Sequence, residues 1–192
     1  KLDVHLTYLG TGCIFTDEFP DDTEGYTEDS MPNFFGSGYS TVKGFTDRLM
    51  HMFNDSVLNV RIRMPIVGYD HPRNFISKIC SYEKVINISN SMTVLPELLP
   101  VMIDLAKNKK TGTVNLTNPG TITHNEILDL YTKYVDETFT YQNFTLDEQN
   151  QILASERSNN KLDTSLLESL YPSVLPIKES VKSLFQNYQR RN

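Results

Sequence analysis

Apolar positions along the chain follow two spacings, one typical of strands and one of helices. In residues 4–8 and 57–64, apolar and polar side chains alternate, as in half-buried β-strands. Between these segments, residues 39–53 repeat apolar side chains every three or four positions, which predicts an amphipathic helix. The pattern therefore predicts a strand–helix–strand unit near the start of the chain.

The remainder of the chain continues this alternation and then becomes mainly helical. Strands are predicted at residues 85–88 and 112–116. Thr123 and Glu126 have the spacing of a capping box, which opens a helix that runs to Tyr134. Further helices are predicted at residues 74–82, 96–107, 146–154, 164–170 and 178–189.

Strands that alternate with helices indicate an α/β fold with a mostly parallel sheet. We predict that residues 1–192 are part of one domain, in which residues 1–66 and 95–120 form a Rossmann-like portion. Residues 67–94 and 121–192 then form a smaller C-terminal lobe that binds substrate.

Composition narrows the range of partners. The formal net charge is −6, and Lys and Arg are scattered, so no nucleic-acid partner is expected. Apolar runs are too short to predict a membrane span. The two cysteines, Cys13 and Cys80, are far apart, which favours free thiols in a cytoplasmic protein and predicts no metal site.

In open α/β sheets, ligands lie beyond the carboxyl ends of the strands. Tyr39 and Lys43 are four residues apart, so on a helix they share one face. An ammonium near a phenol favours the phenolate, and such a phenol can protonate a carbonyl oxygen while hydride reaches its carbon. Thr11, at the end of the first strand, is the candidate second donor to that oxygen. An ordinary amphipathic helix in a chain with ten tyrosines also accounts for the spacing.

Cys13 follows Thr11 on the same turn. A thiolate beside a polarised ketone can remove an α-proton. Epimerisation also needs a group on the opposite face of the sugar, and Lys78 is the candidate, although an ordinary surface lysine is the simpler interpretation. The sequence contains no glycine-rich strand–loop–helix unit of the kind that binds dinucleotide phosphates.

Several short segments, taken together and in order, resemble the bifunctional nucleotide-rhamnose synthases, which are 3,5-epimerase/4-reductases of the extended short-chain dehydrogenase/reductase family. The likeness covers nearly all of the chain, as the C-terminal two-thirds of such an enzyme without its N-terminal dinucleotide-binding βαβ unit. The segments are Thr11-Gly12-Cys13-Ile14-Phe15, Tyr39-Ser40-Thr41-Val42-Lys43, Arg63-Met64-Pro65-Ile66, residues 72–79, 90–95, 117–120, 124–128 and 157–160.

The resemblance implies conversion of UDP-4-keto-6-deoxy-glucose to UDP-L-rhamnose with NADPH, or NADH, as the hydride source. It implies that Thr11 holds the keto oxygen, that Tyr39 donates the proton, and that Lys43 tunes Tyr39 and binds the nicotinamide ribose. Cys13 and Lys78 are then the epimerase acid/base pair, in either order. Met64 and Pro65 are the further residues expected at the cofactor, and Asn74 and Arg157 those expected at the substrate.

The resemblance also implies a homodimer formed through the tyrosine-bearing helix. Two alternatives remain open at this point. One is a sugar-nucleotide 4-reductase without epimerase activity, and the other is a non-catalytic binding or regulatory protein on the same fold. The identity of the nucleotide (UDP, dTDP or GDP) is also open.

Overall fold

The structure is a computed structural model that describes residues 4–16, 25–145, 147–148, 151 and 158–190. Its strands are β1 (Leu6–Thr11), β2 (Val57–Ile62), β3 (Pro65–Ile66), β4 (Lys84–Val85), β5 (Ser89–Asn90), β6 (Thr93–Val94), β7 (Gly112–Asn115), β8 (Ile122–Thr123) and β9 (Gln142–Asn143). Its helices are α1 (Gly38–His51), α2 (Phe75–Cys80), α3 (Leu95–Lys107), α4 (His124–Tyr134), α5 (Ser165–Leu170) and α6 (Ile177–Phe185).

A parallel sheet of the order β1–β2–β7 is the frame of the structure. Its register places Thr11 opposite Ile62, and Arg61 opposite Asn115. The carboxyl ends of all three strands therefore meet at one edge. The α/β fold predicted from the sequence is confirmed.

Two apolar clusters stabilise the molecule. One lies between the sheet and α3, and includes Leu58, Val60, Leu98 and Val114. The other joins α2, α4 and α6 to the short strands, and consists of Ile66, Ile76, Ile79, Val85, Met92, Val94, Ile122, Ile127, Leu128, Tyr131, Ile177, Val181 and Phe185. The exact division into Rossmann-like portion and substrate lobe stays a prediction.

Helix α1 has its polar side on the sheet and its apolar side in solvent. Its buried residues are Ser40, Gly44 and Asp47. The side chains that made the segment amphipathic point outward, with Phe45 68% and Met52 78% exposed. The periodicity correctly predicts a helix, but the sheet contacts its opposite face.

Local sequence signals agree with the structure where short-range contacts decide the conformation. Thr123 Oγ1 accepts from Glu126 N, and Glu126 Oε2 accepts from Thr123 N, so the capping box is confirmed. The single strand predicted at 85–88 is wrong, because the Ile86 carbonyl accepts from His124 Nδ1 at 2.6 Å and the chain forms β4 and β5 instead. Most of the helix predicted at 146–154 lies outside the described residues. Among the described helices, none has the length and apolar character that crossing a membrane requires.

Candidate functional site

The candidate site begins with the turn that follows β1 at the carboxyl edge. Thr11 is 5% exposed, and its Oγ1 accepts from Cys13 N at 3.1 Å. The hydroxyl keeps its own proton, which it can donate to a substrate oxygen. Cys13 is a free, half-buried thiol. The structure thus brings the two predicted residues into one tight turn.

Gly12 allows this turn to lie against the rest of the site. A Cβ atom at Gly12 would be 2.7 Å from Leu162 Cδ1 and 2.9 Å from Arg63 Cγ. Both distances are shorter than real Cβ contacts. The Thr11–Cys13 turn therefore requires glycine at its centre.

Arg63 and Asn160 fix the backbone of the turn. Arg63 is 1% exposed, and its Nη1 donates to the Gly12 carbonyl at 3.0 Å while its Nη2 donates to Asn90 Oδ1 at 2.6 Å. Asn160 Nδ2 donates to the Gly12 carbonyl at 3.0 Å and to the Phe15 carbonyl at 2.9 Å. A buried guanidinium held by several acceptors is a rigid support, so the positions of Thr11 and Cys13 are set by residues far away in sequence.

Helix α1 carries Tyr39 and Lys43 to the same edge. Its N-cap is Ser37, whose side chain accepts from Ser40 N. Lys43 Nζ donates to Tyr8 Oη at 3.0 Å and to the Leu9 carbonyl at 3.3 Å. Tyr39 is 56% exposed, so its ring is not buried against apolar neighbours.

The direction of α1 places Tyr39 on the carboxyl-edge side of Lys43. Because β1 and β2 are parallel, the helix between them runs antiparallel to both. From Lys43 back to Tyr39 the helix rises about 6 Å toward that edge. Tyr39 and the Thr11–Cys13 turn therefore lie toward the same edge of the sheet.

Below this pair, α1 is tied to the sheet by a buried charge network. Asp47 Oδ1 and Oδ2 each accept from Arg61 at 2.8 Å, from Nε and Nη2. Asn59 Nδ2 also donates to Asp47 at 2.8 Å. Burial lowers the pKa of His51, whose Nε2 lies 3.2 Å from Arg61 Nη2 and 3.1 Å from Thr113 Oγ1.

Arg61 also connects the network to the loop that leads into α1. Its Nη1 donates to the Thr27 carbonyl at 3.1 Å and its Nη2 to the Ser30 carbonyl at 3.3 Å. The guanidinium lies over the Phe15 ring, 5.1 Å from the centroid. One buried side chain thus contacts the helix, the loop and the turn that carry the predicted catalytic residues.

The remaining predicted residues lie beyond β2 or in the lobe. Met64 has a φ of 39°, and Pro65 pairs with Thr93. Lys78 is exposed on α2, and nothing in the structure tests its predicted role. Arg157 lies outside the described residues.

Asn74 is the N-cap of α2 and is 2% exposed. Its Nδ2 donates to the carbonyls of Val67 and Tyr69 and to Tyr188 Oη, at 2.9–3.2 Å. Its Oδ1 accepts from Val67 N and Ile76 N. This amide supports the loop between β3 and α2, and its contact with substrate stays a prediction.

A cavity of about 730 Å³ lies at the C-terminal end of α2. Its lining combines two aromatic rings, three aliphatic side chains, a serine and the ionisable side chains of a lysine, a glutamate and a histidine. The lining residues are Ile79, Ser81, Tyr82, Glu83, Lys84, Val85, Ile86, His124 and Phe144. Within the residues that the structure describes, no cluster of three or more side chains suited to a metal ion occurs.

Comparison with known proteins shows which proteins this chain is similar to. No protein-family profile matches the chain. A mimivirus protein, L780 of Acanthamoeba polyphaga mimivirus, is 53% identical over 186 residues, which are 96% of this chain and 64% of that protein. The crystal structure of the L780 UDP-rhamnose synthase superposes with a TM-score of 0.89 at 52% identity, over 96% of this chain and 65% of that one. The chain is a homologue of the nucleotide-rhamnose synthases.

Plant enzymes are also similar to nearly the whole of this chain. A bifunctional dTDP-4-dehydrorhamnose 3,5-epimerase/reductase from Arabidopsis thaliana is 46% identical over 94% of this chain and 62% of its own length. The chain thus spans slightly less than two thirds of these curated relatives. The dTDP-4-dehydrorhamnose reductase of Bacillus anthracis, solved in complex with NADP, shares the extended short-chain dehydrogenase/reductase fold. It superposes with a TM-score of 0.69 at 18% identity, over 94% of this chain and 65% of that one.

Sequence reasoning missed the residues that support the site in this nucleotide-rhamnose synthase homologue. Arg61 and Arg63 alternate with apolar residues in a strand, so the pattern places them at the surface. Asp47 falls on the polar side of an amphipathic helix. Two arginines that alternate with apolar residues along one strand are the signal that a search for buried arginines would use.

Proposed function

We propose that this chain supplies the catalytic turn, the catalytic helix and the substrate lobe of an enzyme that epimerises a nucleotide-linked 4-keto-6-deoxy sugar at C3 and C5 and reduces it at C4. The observation that carries the proposal is the Thr11–Cys13 turn at the carboxyl edge, toward which the N-terminal end of the helix that bears Tyr39 and Lys43 also points. The similarity to UDP-rhamnose synthase supports UDP as the nucleotide and UDP-L-rhamnose as the product.

The chain's residues fit the nicotinamide end of NADPH. The Lys43 ammonium has three N–H donors, and two of them have acceptors in Tyr8 and Leu9. The third can bind a ribose hydroxyl, and the proposal assigns Tyr39, Met64 and Pro65 to the same end of the cofactor. When bound, NADPH, or NADH in its place, supplies hydride to C4.

Epimerisation begins with polarisation of the 4-keto group by Thr11 and Tyr39. The hydrogen bonds stabilise negative charge on the oxygen, which makes the protons at C3 and C5 acidic. The Cys13 thiolate takes the proton to form an enolate, and Lys78 returns a proton to the same carbon from the opposite face. The two groups act in this order or in the reverse order.

Reduction at C4 uses Thr11, Tyr39 and Lys43. As C4 accepts hydride, the developing alkoxide is stabilised by Thr11 and protonated by the Tyr39 phenol. Lys43 holds positive charge next to the phenolate that remains.

Deuterium incorporation separates the two reactions. In the longest natural form of the protein, with NADPH and the 4-keto sugar in heavy water, we expect deuterium at C3 and C5 before reduction. Cys13→Ser should stop this exchange and spare much of the reduction of an already epimerised ketone. Tyr39→Phe should abolish reduction but only slow the exchange, because Thr11 still polarises the keto group.

Equal loss of both reactions in each variant would contradict the division of roles. Reduction by the unmodified protein without exchange would favour a 4-reductase that has no epimerase activity. Absence of both reactions would favour a non-catalytic protein.

The cavity at the end of α2 is a candidate for the nucleotide part of the substrate. Tyr82 and Phe144 offer ring faces to a base, and Lys84 Nζ is 5.7 Å from the Phe144 centroid. Tyr82→Ala should weaken UDP binding in calorimetry, whereas Tyr69→Ala, outside the cavity lining, should leave it unchanged. Equal affinities of the two variants would place the nucleotide elsewhere, for example near Asn74 and Arg157.

The outward face of α1 supports a homodimer. Val42, Phe45, Leu49 and Met52 are 48–78% exposed on one helix, and a contiguous apolar surface of this kind usually marks an interface. Sedimentation should show a dimer that Phe45→Glu converts to a monomer, while Lys107→Glu on α3 has no effect. A monomer before any substitution would contradict the proposal.

A cytoplasmic location follows from the same chemistry. The proposed acid/base role of Cys13 needs a free thiol, which a reducing compartment preserves. The net charge of −6 supports a partner other than nucleic acid.

A further inference from the structure

The Lys43 side chain is held by an aromatic residue of the neighbouring strand. Lys43 Nζ lies 3.0 Å from Tyr8 Oη and 4.8 Å from the centre of the Tyr8 ring. A third contact, 3.3 Å to the Leu9 carbonyl, completes the arrangement. An unrestrained lysine has many rotamers of similar energy, so three contacts from one strand define where this ammonium lies.

The strand is built so that Tyr8 faces the helix. Tyr8 pairs with Asn59, whose side chain donates to Asp47 on α1, and paired residues of adjacent strands point to the same side. Gly10, two positions along, also lies on that side. A Cβ at Gly10 would be 2.6 Å from Asn59 Oδ1 and 3.4 Å from Tyr8 Cε1, so glycine leaves room for both side chains.

The ring and the hydroxyl act on the ammonium in different ways. The ring attracts a cation within about 6 Å of its centre, which limits how far the lysine can move away. The hydroxyl oxygen accepts one directed hydrogen bond from a charged donor, which fixes the orientation. Together they leave one N–H of Lys43 to point elsewhere.

We propose that Tyr8 is a positioning residue that holds the Lys43 ammonium one helical turn from Tyr39, in the orientation that reduction requires. This inference rests on the proposed function, in which Lys43 serves Tyr39 and the cofactor ribose. In this proposal Tyr8 acts through Lys43 and not on the substrate itself.

Nuclear magnetic resonance of the lysine side chains tests the contact without any turnover. With ¹³C-labelled lysine, and the Lys43 signal assigned from Lys43→Arg, the nearby Tyr8 ring should shift the ε-CH₂ signal away from that of the other lysines. Tyr8→Leu should abolish this shift, whereas Tyr8→Phe should retain most of it because the ring remains. Tyr82→Phe serves as the matched control at a distant tyrosine and should leave the Lys43 signal unchanged.

Steady-state kinetics tests the role. In the longest natural form of the protein, Tyr8→Phe should lower kcat for reduction about tenfold, the equivalent of one hydrogen bond to a charged group, with KM for the sugar nucleotide unchanged. Deuterium exchange at C3 and C5 should stay within twofold, since Cys13 and Lys78 are untouched. A merely structural role of Tyr8 would lower both activities together.

Failure of the Tyr8–Lys43 contact, failure of its role in reduction and failure of the proposed function give different results. An identical Lys43 signal in the unmodified protein and Tyr8→Leu overturns the contact, and an unchanged kcat in Tyr8→Phe overturns the role. If the signal responds as expected but the unmodified protein reduces no 4-keto sugar, the proposed function fails, and with it the catalytic purpose of the contact. Unfolding midpoints of all variants, expected within a few degrees for Tyr8→Phe, exclude loss of fold as the cause.

Discussion

Removal of one member of the Asp47–Arg61 pair should destabilise the protein far more than removal of both. The side chains are 2% and 0% exposed and are joined by two hydrogen bonds of 2.8 Å. In Asp47→Leu the guanidinium remains buried with only the Thr27 and Ser30 carbonyls and His51 nearby. In Arg61→Met the carboxylate remains buried beside Asn59.

The magnitude follows from the cost of an uncompensated buried charge. Breaking such a pair from one side costs about 3–5 kcal/mol. For a chain of this size each kcal/mol corresponds to roughly 2–4 °C in the unfolding midpoint, so each single variant should melt roughly 6–20 °C lower. The double variant Asp47→Leu/Arg61→Met leaves no unpaired charge and should recover most of this loss.

Urea unfolding followed by circular dichroism measures the effect. The three variants and the unmodified protein form a double-mutant cycle, whose coupling energy we expect to exceed about 1 kcal/mol. Similar m-values would show that the unfolded surface is comparable. Additive single effects, or single losses below about 1 kcal/mol, would refute the view that α1 is held to the sheet by a desolvated ion pair.

Three further predictions concern pH, backbone and thiol chemistry. Burial lowers the pKa of His51 from 6.5, so protonation favours the unfolded chain and the unfolding midpoint should fall as pH drops below about 6.5. The midpoint should fall less steeply with pH in His51→Gln, and equal slopes in the two proteins would contradict this. Gly12→Ala should lower the unfolding midpoint and abolish deuterium exchange at C3 and C5, because its Cβ would lie 2.7 Å from Leu162 Cδ1, and retained exchange would show that the turn tolerates the shift. Burial raises the pKa of the Cys80 thiol to about 12, so iodoacetamide at pH 8 should label Cys13 before Cys80, as followed by mass spectrometry. The fast phase of labelling should vanish in Cys13→Ser but persist in Cys80→Ser.

Short-range patterns determined the elements and several site residues. The capping box of Thr123 and Glu126 and the helix that begins at Gly38 depend on contacts within one turn, which the sequence encodes directly. The placement of Thr11 and Cys13 on one turn also follows from adjacency. The strand predicted at 85–88 failed because a ring from residue 124 takes a carbonyl that a strand would have used.

The surroundings of the site were decided only by tertiary structure. Which side of α1 is buried depends on the polar side chains that β2 presents to it, above all Arg61, and a pattern of apolar spacing carries no information about that partner. Tyr8 and Lys43 are 35 residues apart, and Asn160 reaches Gly12 across 148. Such contacts form because parallel strands need long connections between them, so the sequence suggests the candidate reacting groups and the folded sheet specifies what surrounds them.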